Sequence, residues 1–194
     1  MVRHHPQAAE RRLDLLSWGL LPHFTRDPKA RRPFNARAET VRTLGLFRSA
    51  FARRRCLVPA SAFYEWRAGT DGKQPFAIAR ADGAPLALGG LWESWTSPEG
   101  EVVRSFAVVT TAANAEMSAL HARMPLVLEP GAWGGWLDGP ADEAAALLRP
   151  AADGTLRCWP VSRRVNSVRN DGPELLSPDA PPDSTPAPAG ANPA

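Results

Sequence analysis

Cysteine is scarce in this sequence, since Cys56 and Cys158 are the two cysteines among 194 residues. In a reducing compartment two cysteines are expected to be free thiols rather than a disulfide. The stretch from Met1 to His5 contains no apolar run, so we expect neither a signal peptide nor a membrane span. The sequence also lacks the ligand spacing of a metal site, and we expect no metal or other cofactor. These absences favour a cytoplasmic protein.

Basic residues are unevenly distributed. A chain of 194 residues that is 44% hydrophobic and contains seven Trp can bury one substantial core, which predicts a single domain. Its net charge is +3, but ten of its 23 Lys and Arg residues fall between Arg26 and Arg55, with Asp27 and Glu39 as the acids in that stretch. Such a basic block indicates a polyanionic partner, although a solvated charged face is the commoner explanation.

Strand patterns dominate the middle of the chain. Residues 13–21 are largely apolar and predict a buried strand that ends at Pro22. Asp82-Gly83 between two apolar runs predicts one hairpin, and the turn at residues 97–100 predicts a second. Neighbouring antiparallel strands favour the α+β class, with a meandering sheet or an open, barrel-like core.

Short helices are expected around this sheet. Residues 43–51 have near-helical apolar spacing, and Asn114 is expected to cap a short helix that leads towards His121. From Ser177 to Ala194 the chain is rich in Pro and Ala and has almost no apolar side chains. Such a segment cannot bury enough surface to offset its ordering, so we expect a domain over residues 1–176 and a disordered tail over 177–194.

Glu65 lies in the segment Phe63-Tyr64-Glu65-Trp66. On a strand Glu65 shares a face with Phe63, whereas Tyr64 and Trp66 point the other way. A carboxyl group where water is scarce holds its proton more tightly and can act as a general acid and base. The alternative is a solvated strand carboxylate, and this segment alone does not decide between them.

Two other polar residues are candidates for a site. Asn35 follows a loop rich in Pro and basic residues, where it either contributes to a site or caps the next turn. His121 lies where a predicted helix meets a strand, two positions before Arg123. A lone histidine is more often structural, but this position and its neighbour raise the odds of a functional role.

Four motifs follow one another along the chain: Trp18-Gly19-Leu20-Leu21-Pro22, Asn35-Ala36-Arg37-Ala38-Glu39-Thr40, Arg55-Cys56-Leu57-Val58-Pro59-Ala60 with Phe63-Tyr64-Glu65-Trp66, and His121-Ala122-Arg123-Met124-Pro125. A further polar segment begins at Val161-Ser162. In this order, over residues 13–176, the motifs resemble those of the SOS response-associated peptidase (SRAP) family of abasic-site processing proteins, and the last segment resembles its C-terminal signature.

The resemblance implies a monomer that binds single-stranded DNA and reacts with abasic sites. In the family, a cysteine directly after the initiator Met forms a thiazolidine with the open sugar, which crosslinks protein to DNA, and self-processing exposes that cysteine. By motif, Asn35 would orient the sugar, Glu65 would transfer protons and His121 would assist ring opening.

The resemblance also implies contacts with the DNA backbone and bases. Arg37 and Arg123 would hold phosphates. Trp18 and Phe24 are candidates to stack on bases or to separate them, although core packing is favoured for Trp18.

This sequence departs from the family at its start, where residue 2 is Val. The chain is expected to begin inside the family domain, either because its start lies upstream or because the product is truncated. The retention of Asn35, Glu65 and His121 favours the first explanation.

Two other functions stay open: a non-covalent single-strand binding module, and a hydrolase that uses Cys56 and His121. Cys56 lies in an apolar strand, where cysteine behaves as a small buried hydrophobe.

Overall fold

Two sheets form most of the architecture. The computed structural model describes residues 1–5, 10–27, 29, 31–70 and 72–179. The strands within these residues are β1 (Val2–His4), β2 (Arg11–Leu13), β3 (Ser17–Trp18), β4 (Asn35–Arg37), β5 (Arg55–Ala60), β6 (Phe63–Gly69), β7 (Gly72–Arg80), β8 (Leu86–Thr96), β9 (Val102–Ala112), β10 (Arg123–Pro125) and β11 (Leu156–Pro160).

The larger sheet curls into a half-barrel. Its order is β10-β9-β8-β5-β1-β2, and β3 and β4 pair in parallel with β9. The smaller sheet has the order β11-β7-β6 and is antiparallel throughout. Together with the short helices, these mostly antiparallel sheets confirm the α+β class and the open, barrel-like core.

One predicted hairpin forms and the other does not. The turn at residues 97–100 joins β8 to β9, which pair from Gly90–Val108 to Thr96–Val102. The Asp82-Gly83 prediction was wrong: the chain turns there, but β7 and β8 belong to different sheets. A strand has two edges, and β7 uses its edges for β6 and β11 whereas β8 uses its edges for β5 and β9.

The segment that follows His121 lies between β8 and β9, where these strands separate. The Leu126 N–H donates to the carbonyl of Val109 at 2.8 Å, and the Leu126 carbonyl accepts from Gly89 N–H at 2.8 Å. A Cβ on Gly89 would lie 2.6 Å from Leu126 Cδ2, so any larger residue here would force the buried Leu126 side chain to shift. This insertion brings β10 and its polar residues to the end of the larger sheet.

The helices are short and lie around the sheets. They are α1 (Gly45–Arg53), α2 (Ala115–Ser118), α3 (Trp133–Leu137) and α4 (Ala141–Ala146), with 3-10 turns at Pro130–Ala132, Arg163–Asn166 and Pro173–Leu176. The helix predicted for residues 43–51 is confirmed as α1. The predicted cap of α2 is also confirmed, because Asn114 Oδ1 accepts from the Met117 N–H at 3.0 Å. Among the described helices, none is long and apolar enough to cross a membrane.

Apolar side chains form two main clusters. One packs the helices against the larger sheet and includes Phe47, Leu91 and Trp136. The other includes Ile78 and Leu88, one from each sheet, and so fills the space between the sheets. The Glu65 strand borders this second cluster, since Phe63 packs against it.

The strand predicted over residues 13–21 is only partly correct. Leu13 and Leu15 are exposed, whereas Leu20 and Leu21 are fully buried. Regular pairing is limited to β2 and the two residues of β3, and Gly19 then adopts a φ of 108° that turns the chain inwards. Apolar character alone did not reveal this change of direction.

The described chain remains ordered just past residue 176. Pro178 forms an isolated antiparallel bridge with Val161, and the Asp179 N–H donates to the carbonyl of Pro160 at 2.9 Å. The remainder of the predicted tail, residues 180–194, lies outside the described residues.

Arg55 is buried inside the molecule rather than on the basic surface. Its side chain donates to the carbonyls of Phe51 and Ala52 at the end of α1, and to those of Trp136 and Gly139 at the end of α3. The last carbonyls of a helix have no partner within the helix, and a cation complements the dipole there. Arg55 therefore joins two helix ends to β5.

Candidate functional site

Glu65 lies on β6, in the smaller sheet, opposite Phe76 of β7. Its side chain is 23% exposed. Burial raises the pKa of the Glu65 carboxyl, and this rise is partly offset by His121 and by a hydrogen bond from the Trp66 backbone. A partly buried carboxyl of raised pKa can act as a general acid as well as a general base. Burial thus supports the acid-base hypothesis over that of a fully solvated carboxylate.

His121 faces this carboxyl. Nδ1 of His121 lies 3.8 Å from Oε1 of Glu65, and the imidazole side chain is 49% exposed. The same nitrogen lies 3.0 Å from the backbone nitrogen of Arg123 and 3.1 Å from its carbonyl oxygen. It can accept from the N–H when the ring is unprotonated at Nδ1, and it can donate to the carbonyl when Nδ1 carries a proton. Glu65 and His121 therefore form a carboxylate–imidazole pair that is open to solvent, which we call the Glu65–His121 site.

Arg123 fixes the strand next to this site. Its guanidinium donates to both carboxylate oxygens of Glu39, at 2.5 and 3.0 Å, and to the carbonyl of Thr110 at 2.6 Å. Such a two-point ion pair is geometrically specific. Since Glu39 follows β4 and Thr110 is on β9, Arg123 connects three neighbouring segments. Neither Glu39 nor Thr110 was identified as a site residue from the sequence, although Glu39 belongs to the same motif as Asn35.

Asn35 and Arg37 lie on β4 and share its exposed face, because Ala36 between them is buried. Within the described part of the chain, the Asn35 side chain forms no hydrogen bond to Glu65 or His121. The connection is indirect: Arg37 pairs across the sheet with Thr110, which accepts from Arg123. The structure therefore brings Glu65 and His121 together, and places Asn35 and Arg37 on β4, which pairs with β9 as β10 does.

Exposed aromatic rings lie at the same side of β9. Trp18 is 56% exposed, so the expectation of core packing for Trp18 was wrong. Its indole N–H donates to the carbonyl of Phe34 at 2.9 Å, and the two rings meet edge to face at 5.2 Å. Phe34, itself exposed, was not identified from the sequence, although it directly precedes Asn35. Phe24 is exposed on the loop between β3 and β4.

The basic block divides into structural and exposed residues. Arg55 is buried as described above, and Arg54 pairs with Glu93 at 2.7 Å, so neither belongs to a free basic surface. Arg42 pairs with Asp142 at 2.6 Å. The exposed members without such ion pairs include Arg26 and Arg53. A reduced basic surface remains available for a polyanion.

Cys56 is not available as a nucleophile. Cys56 is fully buried beside Met1 and Trp92, and burial raises the pKa of its thiol far above the ordinary range. A thiolate is the reactive form, so Cys56 is inert and the Cys56–His121 hydrolase has no accessible nucleophile. Cys158 is exposed, on β11. Among the described residues, no group of three or more His, Cys, Asp or Glu could hold a metal ion.

The two carboxyl groups near the site should respond oppositely to pH. The pKa of Glu65 is raised in the fold, so its contribution to stability is present below the unfolded pKa and is lost as pH rises through the folded pKa. The pKa of Glu39 is lowered, chiefly by its hydrogen bond from Arg123, so its contribution is present above the unfolded pKa and is lost as pH falls.

We therefore expect the Glu65→Gln and Glu39→Gln substitutions to change the pH dependence of the free energy of unfolding in opposite directions. As the pH rises from 4 to 7, the stability of Glu65→Gln should increase relative to the wild type, whereas the stability of Glu39→Gln should decrease relative to the wild type. Urea unfolding at the two pH values measures both changes. Parallel pH dependence of the two variants would contradict the expectation.

Comparisons with a family model, with known proteins and with solved structures all find similar proteins. The model of the SOS response associated peptidase (SRAP) family matches residues 1–168. Abasic site processing protein YoqW of Bacillus subtilis (strain 168) is 36% identical over 170 residues, which cover 85% of this chain and 76% of that protein. Abasic site processing protein YedK of Escherichia coli (strain K12) is 35% identical over 173 residues, covering 86% and 75%. A crystal structure of a protein from Bacteroides thetaiotaomicron superposes with a TM-score of 0.79 at 26% identity, covering 84% of this chain and 75% of that one.

Proposed function

Given that this chain belongs to the SOS response associated peptidase (SRAP) family, we propose that it binds single-stranded DNA and acts on abasic sites. The observation that carries the proposal is the Glu65–His121 pair, whose facing atoms are 3.8 Å apart. A half-buried carboxyl beside a half-exposed imidazole can transfer protons to a ligand that enters from solvent. The relatives' names supply the class of ligand, which is DNA that has lost a base.

The chemistry assigned to this site is the opening of the abasic sugar. An abasic deoxyribose is mostly a closed hemiacetal, and it opens when the C1 hydroxyl loses a proton while the ring oxygen gains one. The C1–O4′ bond breaks and a C1 carbonyl forms, with no other reactant. Glu65 is assigned to accept the hydroxyl proton, and His121 in its imidazolium form to protonate the ring oxygen. Asn35, exposed on β4, is assigned to orient the sugar through its amide.

Arginine residues are assigned to the DNA phosphates. Arg37 is exposed on the same face as Asn35, so its guanidinium can reach a neighbouring phosphate. Arg123 is already held by Glu39 and Thr110, so it would contribute to a phosphate site only through donors that those partners leave free. Trp18 and Phe24 are assigned to stacking, because both rings are more than half exposed.

A second candidate function is single-strand binding without lesion recognition. The exposed ring pair of Trp18 and Phe34 favours it, since aromatic rings stack on any base. The two functions differ in one property, which is preference for an abasic site over an intact strand.

Fluorescence anisotropy with labelled oligonucleotides tests the proposal. We expect tighter binding to a strand with a natural abasic site than to an intact strand, and Asn35→Ala should reduce this preference by about tenfold, the loss of one or two hydrogen bonds. Arg37→Ala should weaken binding to both strands and lower the salt slope by about 0.7, the value for one phosphate of a single strand.

Controls separate the outcomes. A tetrahydrofuran analogue cannot open, so it should lose the part of the preference that depends on Glu65 and His121. Equal affinity for abasic and intact strands would leave the second candidate function, and no affinity for either would refute both. We further propose that the chain acts as a monomer in the cytoplasm, and size-exclusion chromatography tests the monomer.

A further inference from the structure

A buried charged network outside the Glu65–His121 site supports the loop that carries Phe24. Glu93 lies on β8, and its side chain is 2% exposed. We propose that Glu93 is a positioning residue for DNA binding: through His23 it holds the loop of residues 22–27 so that Phe24 stacks on a base outside the Glu65–His121 site. The inference rests on the proposed binding of single-stranded DNA.

The two oxygens of Glu93 have different partners. Oε1 accepts from Arg54 Nη2 at 2.7 Å, and Oε2 lies 3.1 Å from Nδ1 of His23. A buried carboxylate needs a compensating charge, and Arg54 supplies it. The contact to His23 is additional, because that imidazole is 46% exposed and could instead be solvated. The second carboxylate oxygen of Glu93 therefore orients a surface residue, His23.

The loop is fastened at three further points. The N–H of Leu21, just before the loop, donates to Ser105 Oγ at 2.8 Å. The indole N–H of Trp95 donates to the carbonyl of Thr25 at 2.8 Å, and the Thr25 N–H donates to the carbonyl of Pro22 at 3.1 Å. These bonds restrict the backbone on both sides of residues 23 and 24. The ring that the loop presents is consequently held in place before any ligand arrives.

Phe24 is the part of the loop that remains uncovered. It is 57% exposed, and its ring meets that of His23 edge to face, with the centroids 5.4 Å apart. A preoriented exposed ring beside cations is the combination that binds single strands, because the ring stacks on a base while the cations hold phosphates. Arg26 is exposed on the same loop, and Arg53 is exposed next to Arg54 in the chain.

A merely structural network would give different mutational behaviour. If Glu93 only balanced Arg54, removal of His23 would leave DNA affinity unchanged. If Glu93 and His23 act through Phe24, the effect of losing His23 should depend on whether Phe24 is present. A double-mutant cycle of His23 and Phe24 measures that dependence directly.

Anisotropy with an intact single-stranded oligonucleotide is the readout, and thermal unfolding monitors folding. Phe24→Ala should weaken binding about tenfold, within the range for one stacked base. His23→Ala should weaken binding severalfold, and the double variant should be no weaker than Phe24→Ala alone. His23→Asn, which places an N–H near the position of Nδ1, should recover most of the affinity. Val168→Ala, at another exposed apolar side chain, is the matched control and should have no effect.

Each alternative outcome overturns a specific statement. Unchanged affinity of Phe24→Ala, with normal binding by the wild type, refutes the inference and leaves the proposed function standing. Additive effects of the two substitutions refute the positioning role of Glu93 and His23. Absence of binding by the wild type refutes the proposed function and the inference together. Glu93→Gln leaves Arg54 without its counter-charge and can fail to fold. The substitution is therefore made at His23, which is exposed.

Discussion

Incubated with single-stranded DNA that contains an abasic site, this chain is expected to form no crosslink that survives heating. A thiazolidine needs an amine and a thiol on adjacent carbons of one residue, which both add to C1 of the open sugar with loss of water. Residue 2 is Val, and residue 1 is Met. No residue at the start of this 194-residue chain therefore supplies both groups.

The environment of the amine and of the thiols leads to the same expectation. Met1 is 8% exposed, and its ammonium group donates to the carbonyl of Asp14 at 2.7 Å. Cys56 is fully buried with a raised pKa, so it is neither reachable nor ionised. Cys158 is exposed but has no α-amine of its own, so it could form only a reversible hemithioacetal.

A denaturing gel measures the result after heating. A short peptide with an N-terminal cysteine, mixed with the same oligonucleotide, is the positive control for an available aldehyde. A heat-stable shifted band with this chain would contradict the expectation. Repeating the reaction with Cys158→Ser would then show whether the exposed thiol forms it. Binding of the same DNA without a crosslink would agree with the proposed binding of single-stranded DNA.

Replacement of Arg55 by Met is expected to produce the largest loss of stability. Methionine keeps most of the apolar stem, but it leaves the carbonyls at the ends of α1 and α3 without their shared donor. Burial lowers the pKa of Arg55, yet its guanidinium stays charged at neutral pH. We expect the free energy of unfolding to fall by about 3–5 kcal/mol, the cost of leaving several carbonyls without the charged donor that they share.

Urea unfolding followed by tryptophan fluorescence measures this loss. The midpoint of thermal unfolding should fall by about 10 °C, given ~2–4 °C per kcal/mol for a protein of this size. Arg53→Met is the matched control, because Arg53 is exposed two residues earlier, and it should change the free energy by less than about 0.5 kcal/mol. A loss for Arg55→Met as small as that of the control would contradict the prediction.

Local patterns in the sequence predicted much of the fold. The hairpin at residues 97–100, the helix α1 and the cap at Asn114 depend on neighbouring residues, and all three form. The Asp82-Gly83 hairpin failed because its outcome depends on which distant strands occupy the edges of β7 and β8. Turn chemistry fixes where the chain reverses, but it does not fix which strands then pair.

Only some residues of the candidate site could be identified from the sequence. Motif order identified Glu65 and His121, and they do face each other. The ion pair between Glu39 and Arg123 joins residues 84 positions apart, so no local pattern reports it. The exposure of Trp18 was missed because a tryptophan in an apolar segment resembles a core residue. The role of Phe34 depends on its contact with that exposed ring.

The insertion of residues 124–128 between β8 and β9 has a consequence for cooperativity. We call the line where residues 124–128 bond to both strands the seam. His121 and Arg123 directly precede this segment in the chain, so their side chains lie beside it. If residues 124–128 left the seam, the backbone N–H of Gly89 and the carbonyl of Val109 would both lose their hydrogen-bond partners. Local disorder of the His121 imidazole is thereby tied to opening of this seam, and the backbone hydrogen bonds act together with the Arg123–Glu39 ion pair to hold the strand beside Glu65.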